Sequence, residues 1–321
     1  MKSDLIRRFG QRPHDAYFEQ VFKQQVAVLE LLDNFMPAEQ LADLDLGTLR
    51  LSSESFVQDD AKENLSDLVY DCQTKSDKLV RVCLLFEHKS YSTGRKIFVQ
   101  MSSYLRGIQE EDIRQNRAFF TLAIPILFYH GEAKWEVGAL AEQYGDVPQS
   151  LGRYVPQFEL LKIDLQSMSD EAIRKMEATL VLRNVFLAFK HAWDKNYVRE
   201  HFSEMLIFVG EKLPIETTLS LFEATLFYLQ VATELKKQEV MELVQSLPLE
   251  YEKRAKSALE EIFEEGMEKG MEKGMEKGME KGMSNLLAAF LKKNPTWPDQ
   301  QIADYFGIGV SFVKKVRQSM A

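Results

Sequence analysis

Only two cysteines, Cys72 and Cys83, occur in the 321 residues, with no C-x-x-C pair and no Cys/His cluster. Neither a structural zinc site nor a disulfide framework is indicated, and a reducing compartment fits best. No apolar run approaches the roughly 20 residues of a membrane-spanning helix. The opening segment also lacks the apolar stretch of a secretion signal. These absences place the chain, as an expectation, in the cytoplasm with no membrane partner. A basic excess is missing too: 40 Lys and Arg stand against 49 Asp and Glu, a formal charge of −9. Basic excess is the usual mark of phosphate binding, yet distribution matters more than the sum. Arg81, Lys89, Arg95, Lys96, Arg106, Arg114 and Arg117 fall close together in the N-terminal half, whereas much of the acidity lies beyond Glu159. Net charge alone therefore does not exclude a nucleic-acid partner.

What is present describes an ordinary globular chain, with 45% hydrophobic and 28% charged residues. Its length exceeds the roughly 100 to 200 residues of one domain, so a large core with a smaller appendage is expected. Phe18, Val21, Phe22, Val28, Leu29, Leu32 and Phe35 recur at helical spacing, predicting a helix over residues 15–35 that Pro37 ends. Residues 44–57 and 66–74 read as strands. The clearest strand is LVRVCLLFEHKS, where Val80, Val82, Leu84 and Phe86 alternate with Arg81, Cys83, Leu85, Glu87 and Lys89. A helix over 95–112 follows. The run AIPILFY at 123–129 reads as a buried strand closed by His130 and Gly131. The expected order is helix, three strands, helix, strand, an α/β core over residues 1–165.

Beyond about Leu165 the periodicity is helical, with helices expected over 172–193, 198–213 and 216–244, and a helical region extending to 265. Residues 266–283 carry tandem GMEK units. Glycine at every fourth position costs about 1 kcal/mol each relative to alanine in a helix interior. The same period sets Glu268 against Glu272 and Lys269 against Lys273, unfavourable like-charge pairs. Either a partnered helix or a flexible tether satisfies this composition, and a partnered helix predicts a homo-oligomer. In the tail, residues 284–321, a short helix over 285–293 precedes a helix-turn-helix-like pattern. Ile302, Ala303, Phe306, Gly307, Ile308, Val313 and Val316 supply its apolar, small and turn positions. Lys314, Lys315 and Arg317 then form a candidate DNA-binding surface. A helical hairpin used for dimerisation has the same pattern.

The candidate chemistry rests on Asp67, Glu87 and Lys89. An acid on one strand, followed 20 positions later (87 − 67) by E-x-K on the next, gathers two carboxylates and an ammonium at one sheet edge. Hard divalent cations prefer oxygen donors, here Asp67, Glu87 and the backbone carbonyl of His88. Lys89 would act on the attacking water and on developing charge. Alternating Glu and Lys also describe a solvated strand face, so the motif alone leaves both readings open.

Four blocks in order sharpen the choice: HDAYFEQVF at 14–22, SDLVY at 66–70, LLFEHKS at 84–90 and PILFYHGEAKW at 125–135. On these blocks the chain resembles the recombination-promoting nuclease family, also called YhgA-like transposases, a branch of the PD-(D/E)XK superfamily. The resemblance covers over a third of the chain. It implies a PD-(D/E)XK core with a helical C-terminal region, and magnesium-dependent DNA cleavage coupled to recombination, with manganese as a possible substitute. It maps the motif acid to Asp67 and the E-x-K to Glu87 and Lys89. The family commonly carries EHQS, with glutamine for the lysine, whereas this chain has EHKS; Ser66 stands where a proline usually precedes the aspartate. Glu19 is an auxiliary candidate for an extra metal-linked carboxylate, a helix cap or surface position being the alternative. Gln100 is a candidate phosphate or water contact, and Arg95 and Lys96 are candidate DNA contacts. His14 and His130 read as structural residues at a helix start and a turn. The alternative function is a non-catalytic DNA-binding or assembly protein that keeps the fold.

Overall fold

The computed structural model describes residues 8–52, 68–87, 95–135, 138–178, 180–207 and 214–319. The chain divides into two compact units, Met1–Ala258 and Leu259–Ala321.

In unit 1, after a helical stretch at residues 8–11, come α1 (Pro13–Phe22) and α2 (Gln25–Phe35), followed by the short α3 (Ala38–Ala42). Proline suits the first turn of α1, where its missing N–H costs no helical bond. The single helix expected over 15–35 is thus two. Gln24 adopts an extended conformation (φ −81°, ψ 112°) and breaks the run, although neither glycine nor proline announces the break. The turn lets Phe18, Val21 and Phe22, then Val28, Leu31 and Leu32, all become buried. Met36 is extended before Pro37, as the residue preceding a proline prefers.

Five strands form one mixed sheet in sequence order: β1 (Leu44–Leu51), β2 (Leu68–Thr74), β3 (Leu79–Glu87), β4 (Leu122–Tyr129) and β5 (Leu161–Asp164). β1, β2 and β3 pair antiparallel, then β3, β4 and β5 pair parallel. Parallel neighbours need a crossover, which α4 (Lys96–Arg114) supplies between β3 and β4. β5 is absent from the expected order, because four residues, LKID, are too short for alternation to register. Residues 53–57 and 66–67 of the expected strands lie outside the described residues.

Both sheet faces are covered, which explains why ILFY reads as continuously apolar rather than alternating. On one face Phe128 lies against Phe18, Phe22, Phe186 and Phe189, with ring centroids 5.2 to 5.6 Å apart. Tyr70 on β2 donates its hydroxyl to the Phe22 carbonyl across the same interface. On the other face Val69 and Cys83 meet Met101, Tyr104 and Ile108 of α4, and Leu127 and Tyr129 meet Ile97, Phe98 and Trp135. Arg81 also lies within the sheet, fully buried, its Nε 3.1 Å from Asp71 Oδ1 on the paired position of β2.

The region after β5 forms α5 (Asp170–Arg174), α6 (Leu180–Lys190), α7 (Lys195–Leu206), α8 (Ile215–Ala232) and α9 (Lys237–Val244). Two expected helices are therefore each divided. Residues 172–193 contain α5 and α6, and 216–244 contain α8 and α9, where Glu234 takes a positive φ of 52° between them. These helices belong to the same unit as the sheet rather than to a separate one. Tyr17 stacks on Tyr228 at 4.3 Å and bonds the Thr225 hydroxyl at 2.8 Å, while Gln20 reaches Ser220 at 2.9 Å, so α8 closes over α1.

α10 (Leu249–Lys293) is a 45-residue helix that includes the GMEK units, so the repeat is helical rather than a tether. The helix expected over 285–293 is its last part. Unit 2 is completed by α11 (Asp299–Phe306) and α12 (Val310–Ser319). Gly307 caps α11 in the left-handed region (φ 64°), a conformation that glycine adopts without Cβ strain. Leu287 and Leu291 pack with Ile302, Ala303, Val313 and Val316 in one small core.

Candidate active site

Glu87 is the last residue of β3, at the centre of the sheet, and its backbone pairs with Tyr129 of β4. Asp67 immediately precedes Leu68, the first residue of β2, whose partner on β3 is Leu84. Asp67, His88 and Lys89 themselves lie outside the described residues. Among the described residues no group of three His, Cys, Asp or Glu side chains is arranged to hold a metal ion.

Glu19 on α1 is nearly buried and ion-paired to both Arg8 and Lys23. Burial, and then the neighbouring Arg8, lower the Lys23 pKa from its ordinary value. The Glu19 carboxylate is thus held by two cations of its own segment, an arrangement that the isolated sequence does not reveal. Gln100 sits half-buried on the first half of α4. Arg95 and Lys96 open that helix, both exposed, with no acidic residue in its first turn and no ion-pair partner among the described residues. Cations are disfavoured at a helix N-terminus by the macrodipole, so this pair carries a small local cost.

The other arginines of the basic cluster are committed elsewhere. Arg81 is buried against Asp71; Arg106 lies 3.7 Å from Glu110, Arg114 pairs with Glu111, and Arg117 lies 3.2 Å from Asp112. Four of these arginines are therefore paired with carboxylates, on the same helix for Arg106 and Arg114, on the neighbouring strand for Arg81, and on the preceding helix for Arg117. In unit 2, Lys314 is exposed, Lys315 Nζ lies 3.3 Å from Glu280, and Arg317 bonds Asp299 and the Pro295 and Trp297 carbonyls at 2.9 to 3.2 Å. Arg317 thus braces the tail's own fold.

His14 and His130 join the sequence blocks to the later helices. His14 Nδ1 is 2.9 Å from the Tyr228 hydroxyl, and its ring lies 4.9 Å from His130 and 4.7 Å from Trp193. His130 Nδ1 faces the Phe189 carbonyl at 3.2 Å, and Trp193 Nε1 donates to the His130 carbonyl at 3.3 Å. The following Gly131 is required by its neighbour: a Cβ there would fall 2.1 Å from the Tyr129 hydroxyl. Asp164, at the end of β5, was not singled out in the sequence. Its buried carboxylate accepts from Trp135 N at 3.0 Å, Gln166 N at 3.1 Å and Ser167 Oγ at 2.5 Å, pinning the end of the PILFYHGEAKW block. With β5 itself not legible in the sequence, no sequence signal marked this acid.

The fold is α/β, with Glu87 at the carboxyl end of the central strand β3. Residues 12–213 match the family described as "Putative transposase, YhgA-like", and the chain belongs to that family. Recombination-promoting nuclease RpnA of Escherichia coli (strain K12) is 32% identical over 127 residues, 40% of this chain and 43% of the relative. Recombination-promoting nuclease RpnC of the same strain is 30% identical over 121 residues, 38% of this chain and 40% of the relative. The inactive recombination-promoting nuclease-like protein RpnE, also of strain K12, is 24% identical over 188 residues, 58% of this chain and 60% of the relative. The chain spans about two fifths of the length of RpnA and RpnC. No solved structure matches. No helix among the described residues is long and apolar enough to cross a membrane.

Proposed function

We propose that the chain is a metal-dependent DNA endonuclease of the PD-(D/E)XK type that promotes recombination. The observation that carries this reading is the complete set Asp67, Glu87 and Lys89 within the family-matched segment, with Glu87 ending the central strand β3. Relatives named as nucleases support it. The donor set is all oxygen, two carboxylates and the His88 carbonyl, which fits a hard cation such as magnesium. Bound there, the cation would supply Lewis-acid polarisation of the scissile phosphate. Lys89 orients the attacking water and offsets the charge that develops on the phosphate oxygens. Arg95 and Lys96 add cationic contacts for the DNA backbone at the start of α4, and Gln100 offers a further polar contact. Glu19, already ion-paired to Arg8 and Lys23, is the candidate for a further metal-linked carboxylate.

The second reading is a DNA-binding or assembly protein without catalysis. The match to RpnE, named inactive, favours it. Incubation of purified full chain with plasmid DNA, with and without magnesium, separates the two. Asp67→Ala and Glu87→Gln should lower the nicking rate on the order of 100-fold or more while leaving circular dichroism unchanged. Lys89→Ala should lose turnover more than metal affinity in a calorimetric titration. Nicking at the wild-type rate by folded Asp67→Ala would remove the assignment.

A further inference from the structure

The last part of unit 2 reverses the charge balance of the chain. Over residues 285–321, Lys292, Lys293, Lys314, Lys315 and Arg317 stand against Asp299 and Asp304 alone, whereas the whole protein carries −9. This stretch also lies beyond the family match, which ends at residue 213, so its role is not read from that membership.

The stretch folds as helix, tight turn, helix. Only Gly307, Ile308 and Gly309 separate α11 from α12, the short glycine-bearing connection of a helix-turn-helix. The left-handed Gly307 lets Ile308 N return to the Ala303 carbonyl at 3.0 Å, and the Gly309 carbonyl accepts from Phe312 N at 3.0 Å where α12 starts. The end of α10 completes a three-helix core through Leu287 and Leu291, which pack with Ile302 and Ala303 of α11. α12 is the second helix of the pair, the one that lies in the major groove when this motif binds DNA.

The two sides of α12 are cleanly separated. Val313 and Val316 are buried in the core. Ser311, Lys314, Lys315 and Gln318 fall at i, i+3, i+4 and i+7, one face of a helix, and all four are exposed. No carboxylate occurs anywhere on α12. Lys314 has no ion-pair partner among the described residues. Lys315 Nζ lies 3.3 Å from Glu280, but both side chains are more than half exposed, so the pair is weak and open to exchange. Arg317, the remaining cation of the helix, is committed to the fold. It bonds Asp299 and the Pro295 and Trp297 carbonyls, clamping α12 to the connection between α10 and α11.

The chemistry of this face selects the partner. A face that served only solubility would mix both signs, as α4 does with Arg106 beside Glu110 and Arg114 beside Glu111. Lysine, glutamine and serine are instead the donors that meet base edges and phosphate oxygens: lysine pairs with guanine, glutamine with adenine, and serine with either. A single helix of about 10 to 12 Å diameter also matches the ~12 Å width of the major groove. We propose that unit 2 reads duplex DNA, with α12 in the major groove and Ser311, Lys314, Lys315 and Gln318 contacting bases and phosphates. This is a second nucleic-acid site, distinct from the Asp67, Glu87 and Lys89 set, and it does not depend on cleavage.

The test uses the full chain without divalent cation, so that binding is read without cutting, and a fluorescent pool of random-sequence duplexes. In anisotropy titrations the double variant K314A/K315A should bind about 10-fold more weakly or worse, and the slope of log affinity against log salt should fall by about 2, near 1 for each lysine. Hydrogen exchange of the wild type should slow across residues 310–319 when the duplexes are added; contacts made by unit 1 alone would leave those amides unprotected. Ser311→Glu separates binding from folding. A carboxylate in the first turn of α12 suits the helix dipole but faces the phosphates, so the melting temperature should hold or rise while affinity falls. Unchanged affinity and salt slope in K314A/K315A, or no protection over 310–319, overturns the proposal. Protection of those amides by poly-glutamate and not by duplex would assign the face to an acidic protein and overturn it equally. Plasmid nicking, which tests the endonuclease reading, is a separate readout, so either reading can fail alone.

Discussion

Unit 1 buries its side chains across long stretches of sequence, and unit 2 buries its own within a few turns of chain. In unit 1, Tyr17 near the start stacks on Tyr228, and Phe128 in the sheet meets rings from α1 and α6. In unit 2 every member of the core cluster lies between Leu287 and Val316. The first arrangement must close large loops before its contacts form, which favours an all-or-none core; the second is local and can form or open by itself. The family match stops at residue 213, yet α8, which begins at Ile215, supplies Ser220, Thr225 and Tyr228 to α1. The edge of family resemblance and the edge of the folded unit are therefore different boundaries, and a fragment cut at the former would strip the cover from Tyr17.

If this contrast holds, the largest loss should come from the ring at the crossing of unit 1's layers. Phe128→Ala removes a fully buried side chain with four aromatic neighbours and should cost about 3 to 5 kcal/mol. Chemical denaturation followed by near-ultraviolet circular dichroism measures it. Hydrogen exchange in residues 285–319 should stay unchanged. Loss of protection in both regions together would show that the two units unfold as one.

Much of unit 1 was legible from alternation and periodicity. β3 and β4 announced themselves because a strand buried on both faces is a run of apolar residues, and the turn at His130 and Gly131 followed from its residue types. What escaped was set by tertiary contacts. Gln24 breaks a helix with no local signal because two separate faces must reach the core, and β5 is four residues recruited by pairing with β4. The repeat left helix and tether open, since glycine propensity opposes a helix whose remaining residues allow one; the structure gives helix. For the site, the sequence offers Asp67, Glu87 and Lys89 as candidates, of which Asp67 and Lys89 lie outside the described residues; the partners of Glu19 and the pairing of the nearby arginines were not readable from it. Charge clusters in a sequence do not disclose which carboxylate each guanidinium faces.

A smaller effect, confined to unit 2, comes from Gly307→Ala. Nothing lies within 4 Å of the added Cβ, so the whole cost is the left-handed backbone at φ 64°, about 1 to 2 kcal/mol. Exchange should accelerate over residues 299–319 alone. A matching change in the sheet amides would break the comparison from the other side, by showing that unit 2 supports unit 1.

The smallest expected effect is a pH dependence that belongs to unit 1's helices. Asp170 lies 2.6 Å from Lys190 Nζ and 2.6 Å from the Tyr197 hydroxyl, and His191 Nε2 lies 2.9 and 3.0 Å from its two oxygens. Burial pushes the Asp170 carboxyl up, but the bonds from Lys190, Tyr197 and His191 together hold it well below the usual carboxylate range. It stays ionised at any pH near neutral. For His191 burial dominates, and its pKa falls below the ordinary 6.5 despite the Asp170 carboxylate; Lys190 adds to the lowering, and Asp194 opposes it. A histidine whose folded pKa lies below its unfolded one binds its proton more readily after unfolding. Its contribution to stability is therefore complete above about 6.5 and is lost as pH falls from there through the folded value. Acidification from pH 8 to 5.5 should lower the melting temperature of the wild type more than that of His191→Gln, which keeps an amide donor toward Asp170 and does not titrate. The difference should be on the order of a few degrees, flat above pH 7 and growing below it. Histidines common to both proteins cancel in that subtraction. A difference that is constant across the range, or that shrinks on acidification, would show that His191 takes up its proton within the folded helices at no cost.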